Sequence, residues 1–175
     1  KIESHSIAPR PNLSPVPQLG KKTLDIKVAA KVPSFYFGFQ TPSLRTIPKD
    51  KRVEVYALAL LDQVLTGGES SILERELVRK SRLADSLTSS YGVFSKYEGQ
   101  FMFFGMPAAK ESNSSLEAAF LVQMEKLKKN LIPEDQLNRA KAQLLVGELF
   151  AKEAPGDRAM NVGAIVSIGL TPDDY

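Results

Sequence analysis

Histidine is the residue that most limits the chemistry open to this sequence. Zinc sites and Ser–His sites need imidazole groups, because imidazole is both a metal ligand and a base near neutral pH. The 175 residues contain one histidine, His5, and no cysteine. His5 lies in a proline-rich stretch without acidic neighbours at metal-ligand spacing, so we expect an ordinary exposed side chain. The sequence therefore predicts no catalytic, cofactor-binding or metal-binding residue in this chain.

Several acidic side chains occur in close pairs that could in principle perform acid–base chemistry. The pairs are Glu74 with Glu76, Glu134 with Asp135, and Asp173 with Asp174. Each pair falls on a predicted surface or at a helix terminus, where solvation and the helix dipole account for a carboxylate. We therefore expect these groups to be structural.

A glycine-rich stretch, TGGESS at residues 66–71, could bind an anion at a helix N-terminus. The carboxylate of Glu69 would repel such an anion. The simpler interpretation is that the glycines end one helix and that Ser70 or Ser71 caps the next, with Glu74 in the capping-box position. This stretch therefore predicts a helix–helix connection.

The charge balance argues against nucleic acid as a partner. The chain has 23 Lys plus Arg and 20 Asp plus Glu, which leaves a net charge of +3. The basic residues are dispersed, and their densest spots, at residues 21–22 and 126–129, lack interleaved aromatic residues. No apolar run approaches the roughly 18 to 20 residues that span a bilayer, so no membrane span is predicted.

The sequence divides into a connector and one domain. Four prolines, Pro9, Pro11, Pro15 and Pro17, make residues 1–20 an extended proline-rich connector. A strap across the domain surface is favoured over a ligand for a proline-recognising module. Residues 21–175 are expected to form a single domain, because a chain of this length buries one substantial core and not two.

Four short stretches have the patterns of β-strands. Apolar and charged residues alternate over residues 22–28, which predicts a strand with one wet face. Residues 35–39 have apolar side chains on both faces, which favours a central strand. Residues 86–95 and 100–106 follow, and the last run is so apolar that both of its faces are expected to be covered.

Helical periodicity accounts for most of the remaining chain. The predicted helices cover residues 53–65, 70–83, 116–131, 134–154 and 157–168, with Asp50 as the cap of the first and Ser114 or Ser115 as the cap of the third. The order ββααββααα joins neighbouring strands by connections short enough for antiparallel pairing. The sequence therefore predicts an α+β fold, in which an antiparallel sheet carries helices on one face.

These motifs together resemble the C-terminal-type, non-zinc domain of the M16 (pitrilysin, insulinase-like) zinc metallopeptidases. The resemblance rests on Pro42-Ser43-Leu44 after an apolar strand, on the Gly-Gly and Ser-Ser pairs of residues 67–71, and on EDQLNRAKAQL at residues 134–144. It covers about residues 15 to 175. It implies the LuxS-like metallohydrolase type of domain, here a fragment incomplete at its start, in a family whose homologous units enclose a peptide-cleavage chamber.

The resemblance also implies where the chemistry resides. In this family the zinc is held by an inverted HxxEH motif and a further Glu, all in the first unit. That motif is absent here, and one histidine cannot supply two ligands. Related assisting domains carry an Arg and a Tyr where this chain has Val78 and Asp85. The zinc is therefore expected on a missing N-terminal half, and the Arg and Tyr on a partner subunit.

The resemblance leads to one main expectation and two alternatives. We expect the non-catalytic half of a zinc-dependent endopeptidase from a short bacterial M16 member, which forms a chamber wall and a docking surface and is inactive alone. Its expected partners are the zinc-bearing N-terminal domain, a second M16 subunit in a homo- or heterodimer, and peptide substrates, in the bacterial periplasm or cell envelope. The alternatives are a catalytically inactive M16-like partner or scaffold subunit, and an unrelated α+β binding module.

Overall fold

Three strands form the sheet of this protein. The computed structural model describes residue 11, residues 15–29 and residues 32–174. Strands β1 (Phe35–Thr41), β2 (Ala84–Tyr91) and β3 (Gly99–Pro107) make one antiparallel sheet in the order β1-β3-β2. The predicted α+β class with an antiparallel sheet is confirmed. His5 and most of the predicted connector lie outside the described residues, so the connector and its boundary stay a prediction.

The helices follow the predicted order along the chain. They are α1 (Arg52–Thr66), a short π-helix (Glu74–Lys80), α2 (Asn113–Lys129), α3 (Glu134–Glu153) and α4 (Pro155–Ser167). Helix α1 packs on β2, α2 packs on β3, and α3 packs on α1. Because α1 and α2 share one hydrophobic core with the strands, these helices cover the same face of the sheet.

The centre of the core is a cluster of aromatic rings between β1, β3 and α2. The ring centroids of Phe103 and Phe120 lie 4.6 Å apart, and those of Phe37 and Phe120 lie 5.4 Å apart, both edge to face. Leu65 of α1 and Leu77 of the π-helix complete the same buried cluster. Since edge-to-face rings add to the free energy of burial, this cluster stabilises the packing of α2 on the sheet.

The prediction of a strand over residues 22–28 is wrong. The segment has no strand pairing, and Leu24, Ile26 and Val28 are 81%, 71% and 70% exposed. Alternation specifies which side chains a strand would bury, but a strand also needs hydrogen bonds from a neighbour in register. The sheet of the described residues therefore has three strands instead of four.

Two expectations about burial of the strands are also wrong. Strand β1 was expected to be central, but in the described structure it pairs with β3 alone and lies at the edge. Strand β3 was expected to be covered on both faces, but Phe103 is buried while Phe104 is half-buried. Both errors have one cause. Apolar side chains on both faces show that a strand could be buried, but the tertiary structure decides whether other elements cover it.

The predicted helix caps are not the ones found. The N-cap of α2 is Ser112 and not the predicted Ser114 or Ser115, although the Ser115 hydroxyl, at the third helical position, completes the capping box by accepting from the Ser112 N–H. Neither Asp50 at α1 nor Ser71 before the π-helix supplies a side-chain cap. Leu73 is fully buried at the start of the π-helix, so packing of this residue positions that helix in place of a cap.

Candidate functional site

Some of the paired carboxylates found in the sequence form ion pairs with cations on the protein surface. Glu76 is paired with Lys80 at 3.2 Å and with Arg75, and Asp135 is paired with Arg139 at 2.8 Å. Ion pairs of this exposed kind contribute little to stability and leave the carboxylates solvated. The interpretation of these groups as structural stays a prediction, and the contacts supply its physical basis.

The carboxylate in the glycine-rich loop forms an ion pair with an arginine of the helix that follows. Glu69 Oε2 lies 3.0 Å from Arg79 Nη2, and Glu74 Oε1 accepts a hydrogen bond from Arg79 Nε at 3.4 Å. The helix that follows the loop is the seven-residue π-helix. A loop that carries a carboxylate, beside so short a helix, is a poor anion site.

The two positions aligned with the assisting Arg and Tyr have different surroundings. Val78 packs against the buried core cluster, whereas Asp85 is exposed at an irregularity of pairing between Ala84 and Ser86 of β2. A partly buried valine has no group that could hydrogen-bond a peptide. These positions therefore bring no substrate-holding pair together.

The donor groups present do not fit a zinc ion. Among the residues that the structure describes, no three His, Cys, Asp or Glu side chains are close enough together to hold a metal. Within the same residues, no helix has both the length and the apolar content needed to cross a bilayer. The predicted absence of catalytic and cofactor-binding residues stays a prediction.

Sequence reasoning missed a polar network between α1 and β2. Asp62 accepts a hydrogen bond from Ser89 Oγ, and Ser89 also bonds Thr66, through its hydroxyl at 2.6 Å and its backbone N–H at 3.0 Å. Burial raises the pKa of Asp62, although hydrogen bonds from Ser89 and the Tyr91 backbone oppose the shift. An aspartate in the otherwise apolar middle of α1 was the available signal.

We expect Asp62→Asn to flatten the pH dependence of stability. A carboxyl whose pKa is raised on folding contributes stability that is full below its unfolded value of 3.8 and is lost as pH rises through the folded pKa. The wild type should therefore lose this contribution above about pH 4, while the amide variant should not. Urea denaturation between about pH 3 and 7 measures the difference.

The matched control for this network is Asp85→Asn, because Asp85 is an exposed carboxyl on β2. Its pH profile should follow that of the wild type. The prediction would be contradicted if the difference in free energy of unfolding between Asp62→Asn and the wild type stayed constant over the whole pH range.

The sheet face opposite the helices carries an apolar patch, which we call the outer face. It presents Tyr36, Met102, Phe104 and Met106, and the rings of Tyr36 and Phe104 lie 4.9 Å apart. Tyr36 is 70% exposed, and none of the described helices covers it. Met102, Phe104 and Met106 are half-buried beside it, and apolar patches that reach the surface mark interaction sites in proteins. The outer face is thus the candidate functional surface of this chain.

Three solved structures with a similar fold are a protease and two inactive peptidase domains. A protease from Helicobacter pylori is 25% identical with a TM-score of 0.69, over 85% of this chain and 33% of that chain. The inactive peptidase domain of a candidate zinc protease from Bordetella parapertussis is 16% identical with a TM-score of 0.69, and the match covers 84% of this chain and 76% of that domain. The peptidase M16 inactive domain from Pseudomonas fluorescens is 25% identical with a TM-score of 0.50, and the match covers 64% of this chain and 26% of that chain. The present chain spans about a third of the Helicobacter pylori protease.

The family comparison covers most of the sequence. No curated protein matches the chain. The family described as the peptidase M16 inactive domain matches residues 1–144, which include all three strands and both helices that pack on them. A match of this length excludes the alternative of an unrelated α+β binding module. The chain belongs to the peptidase M16 inactive-domain family.

Proposed function

We propose that this chain is the non-catalytic half of a zinc-dependent M16-type endopeptidase and forms one wall of its peptide-cleavage chamber. The observation that carries the proposal is the outer face, where the 70% exposed Tyr36 packs beside the half-buried Phe104 on a side of the sheet that no described helix covers. A monomer gains nothing from such a surface, whereas a chamber wall uses it to contact peptide side chains.

The chemistry of the outer face suits peptides in an extended conformation. Its centre is aromatic and thioether surface, and its rim consists of hydroxyl and amide groups from Thr88, Ser90 and Gln100. Aromatic rings and Met side chains adapt to varied apolar partners, and the rim can hydrogen-bond peptide groups. The role of this chain is therefore to bind and orient the peptide.

The hydrolytic step belongs to groups outside these residues. When bound, zinc activates a water molecule for attack on the peptide carbonyl, with a Glu as general base. This chain lacks the two histidines that would hold the ion. We therefore assign the zinc to an N-terminal M16 domain of the same protein, with a second M16 subunit as a further partner in a homo- or heterodimer of the bacterial periplasm or cell envelope.

Substitution of outer-face residues in the intact protein tests whether this surface contacts the peptide substrate. Tyr36→Ala and Phe104→Ala should each raise KM for peptide substrates about three- to tenfold, with kcat within about twofold, because the lost contacts are shared by ground state and transition state. Val53→Ala on α1 is the control, since Val53 is also 70% exposed but lies on a helix. An unchanged KM in both aromatic variants would refute the proposal that the outer face is a wall of the peptide-cleavage chamber.

Separation of the two halves tests the assignment of zinc. The isolated chain should neither bind zinc stoichiometrically nor cleave peptides, while the intact protein should bind one zinc per HxxEH motif and lose activity when a chelator removes it. Metal analysis and a fluorogenic peptide assay on both preparations give the answer. Peptide hydrolysis by the isolated chain would overturn the assignment.

A further inference from the structure

Two neighbouring rows of side chains cross the outer face from β1 through β3 to β2. The first row contains Tyr36 and Phe104, whose ring centroids lie 4.9 Å apart. The second row contains Gly38, Met102 and Ser90, so that Met102 lies between two small residues. Because glycine has no side chain and serine a short one, Met102 sets the height of the surface beside the aromatic pair.

The thioether of Met102 lies across Gly38. A Cβ atom built on Gly38 would lie 2.5 Å from Met102 Sδ and 3.4 Å from Met102 Cε. The methionine side chain therefore occupies the space that a larger residue at position 38 would use. A glycine inside a strand indicates a close approach of this kind. Gly38 thus allows Met102 to lie flat on β1.

The same arrangement allows Met102 to move. Methionine is unbranched and has three rotatable bonds, so its side chain adapts to different apolar neighbours. The nearest backbone atom to the Cβ position of Gly38, outside the adjoining residues of β1, is Phe101 O at 3.7 Å. That distance is an ordinary van der Waals contact, so the backbone does not confine the space over Gly38. Met102 can therefore shift along the outer face when an apolar group contacts it.

The charge of this surface limits what it can bind. The two rows, and the next row with Gln40 and Gln100, carry neither a carboxylate nor a cation in the described structure. A charged peptide side chain placed there would lose water without gaining an opposite charge. A large aliphatic or aromatic side chain would instead bury apolar area against Met102 and Phe104. The chemistry of the surface therefore favours peptides that carry a large apolar side chain.

We propose that Met102 and Gly38 determine a preference of the outer face for peptides with a large apolar side chain. Met102 is the movable group that contacts this side chain, and Gly38 is a positioning residue that acts through Met102. The inference rests on the proposed function, in which the outer face contacts the peptide. It adds the class of peptide that is preferred and the two residues that set the preference.

Two series of fluorogenic peptides test the preference in the intact protein. Both start from a peptide that the protein cleaves, and a single leucine or a single asparagine is moved along it. At the most sensitive position, the ratio of kcat/KM should favour leucine by about threefold or more in the wild type. Met102→Ala should lower this ratio about three- to tenfold, through KM, whereas Met102→Leu should keep it within about twofold. A wild-type ratio near one at every position would exclude the preference.

A double-substitution cycle tests the role of Gly38. Gly38→Ala alone should lower the leucine-to-asparagine ratio about three- to tenfold, because the new Cβ atom displaces Met102 Sδ. In the Met102→Ala background the same substitution should change the ratio less than about twofold, since the displaced thioether is gone. The control is Gly163→Ala on α4, where a Cβ atom meets no described atom within 4 Å. Equal effects of Gly38→Ala in both backgrounds would show that Gly38 does not act through Met102.

The outcomes separate this inference from the proposed function. If Tyr36→Ala and Phe104→Ala raise KM while Met102→Ala leaves the leucine-to-asparagine ratio unchanged, the outer face contacts the peptide and the inference alone is wrong. If none of these substitutions changes either KM or the ratio, the proposed function and the inference both fail. A ratio that falls in Met102→Ala and in Gly38→Ala, but not in Gly163→Ala, supports the inference.

Discussion

Replacement of Phe120 by alanine should lower the free energy of unfolding by about 3–5 kcal/mol. Phe120 is fully buried on α2, and its ring contacts Phe103 of β3 and Phe37 of β1. The substitution leaves a cavity between helix and sheet that two hydrogen-bonded strands cannot collapse to fill. The loss therefore combines the transfer free energy of the ring with the cost of the cavity.

Urea denaturation followed by far-UV circular dichroism measures this loss. The matched control is Phe150→Ala on α3, because Phe150 is 66% exposed and the same atoms are removed. The control should stay within about 0.5 kcal/mol of the wild type. Equal losses at the two positions would show that the aromatic cluster does not hold the sheet to α2.

Replacement of Gly67 by alanine should destabilise the chain by about 1–3 kcal/mol. Gly67 ends α1, and its N–H donates to Gln63 O at 2.8 Å. A Cβ atom at this position would lie 2.4 Å from the same Gln63 backbone oxygen. A backbone atom cannot rotate aside as a side chain can, so the last turn of α1 has to unwind or shift.

The same substitution at Gly147 should change the free energy of unfolding in the opposite direction. Gly147 lies inside α3, and a Cβ atom there meets no described atom within 4 Å. Alanine is favoured over glycine in a helix interior by about 1 kcal/mol, so Gly147→Ala should stabilise the chain by up to that amount. Thermal denaturation of both variants compares them directly. A Gly67→Ala variant as stable as the wild type would mean that the Gly-Gly break tolerates side chains.

The parts of the fold that sequence predicted are those set by local pattern. Helices α1, α3 and α4 and strand β3 lie within about two residues of their predicted bounds, because the period of apolar residues and the punctuating Pro133, Pro155 and Gly169 act over a few positions. Gly169 has a φ of +88°, as the end of α4 required. Local chemistry was sufficient for these elements.

The parts that sequence missed depend on residues far apart in the chain. Asp62 and Ser89 are 27 positions apart, and only the packing of α1 on β2 brings their side chains together. The same holds for β1, whose apolar composition gives no indication that it lies at an edge. The predicted cap at Asp50 failed for a local reason, because Asp50 lies inside a 3-10 turn (Lys49–Lys51) and the N-cap of α1 is Lys51.

The sequence by itself determined which groups are available and which local structures they favour. One histidine cannot supply the two histidine ligands of an HxxEH zinc site, and the order of apolar periods was enough to indicate an α+β domain. The M16 type was indicated by the resemblance of particular motifs, and the family match confirms it. Only the tertiary structure decided which face of the sheet stays open, that β1 lies at the edge, and that Asp62 is half-buried against Ser89. The physical reason is that periodicity and propensity are properties of neighbouring residues, whereas strand pairing and burial are free energies shared between distant segments.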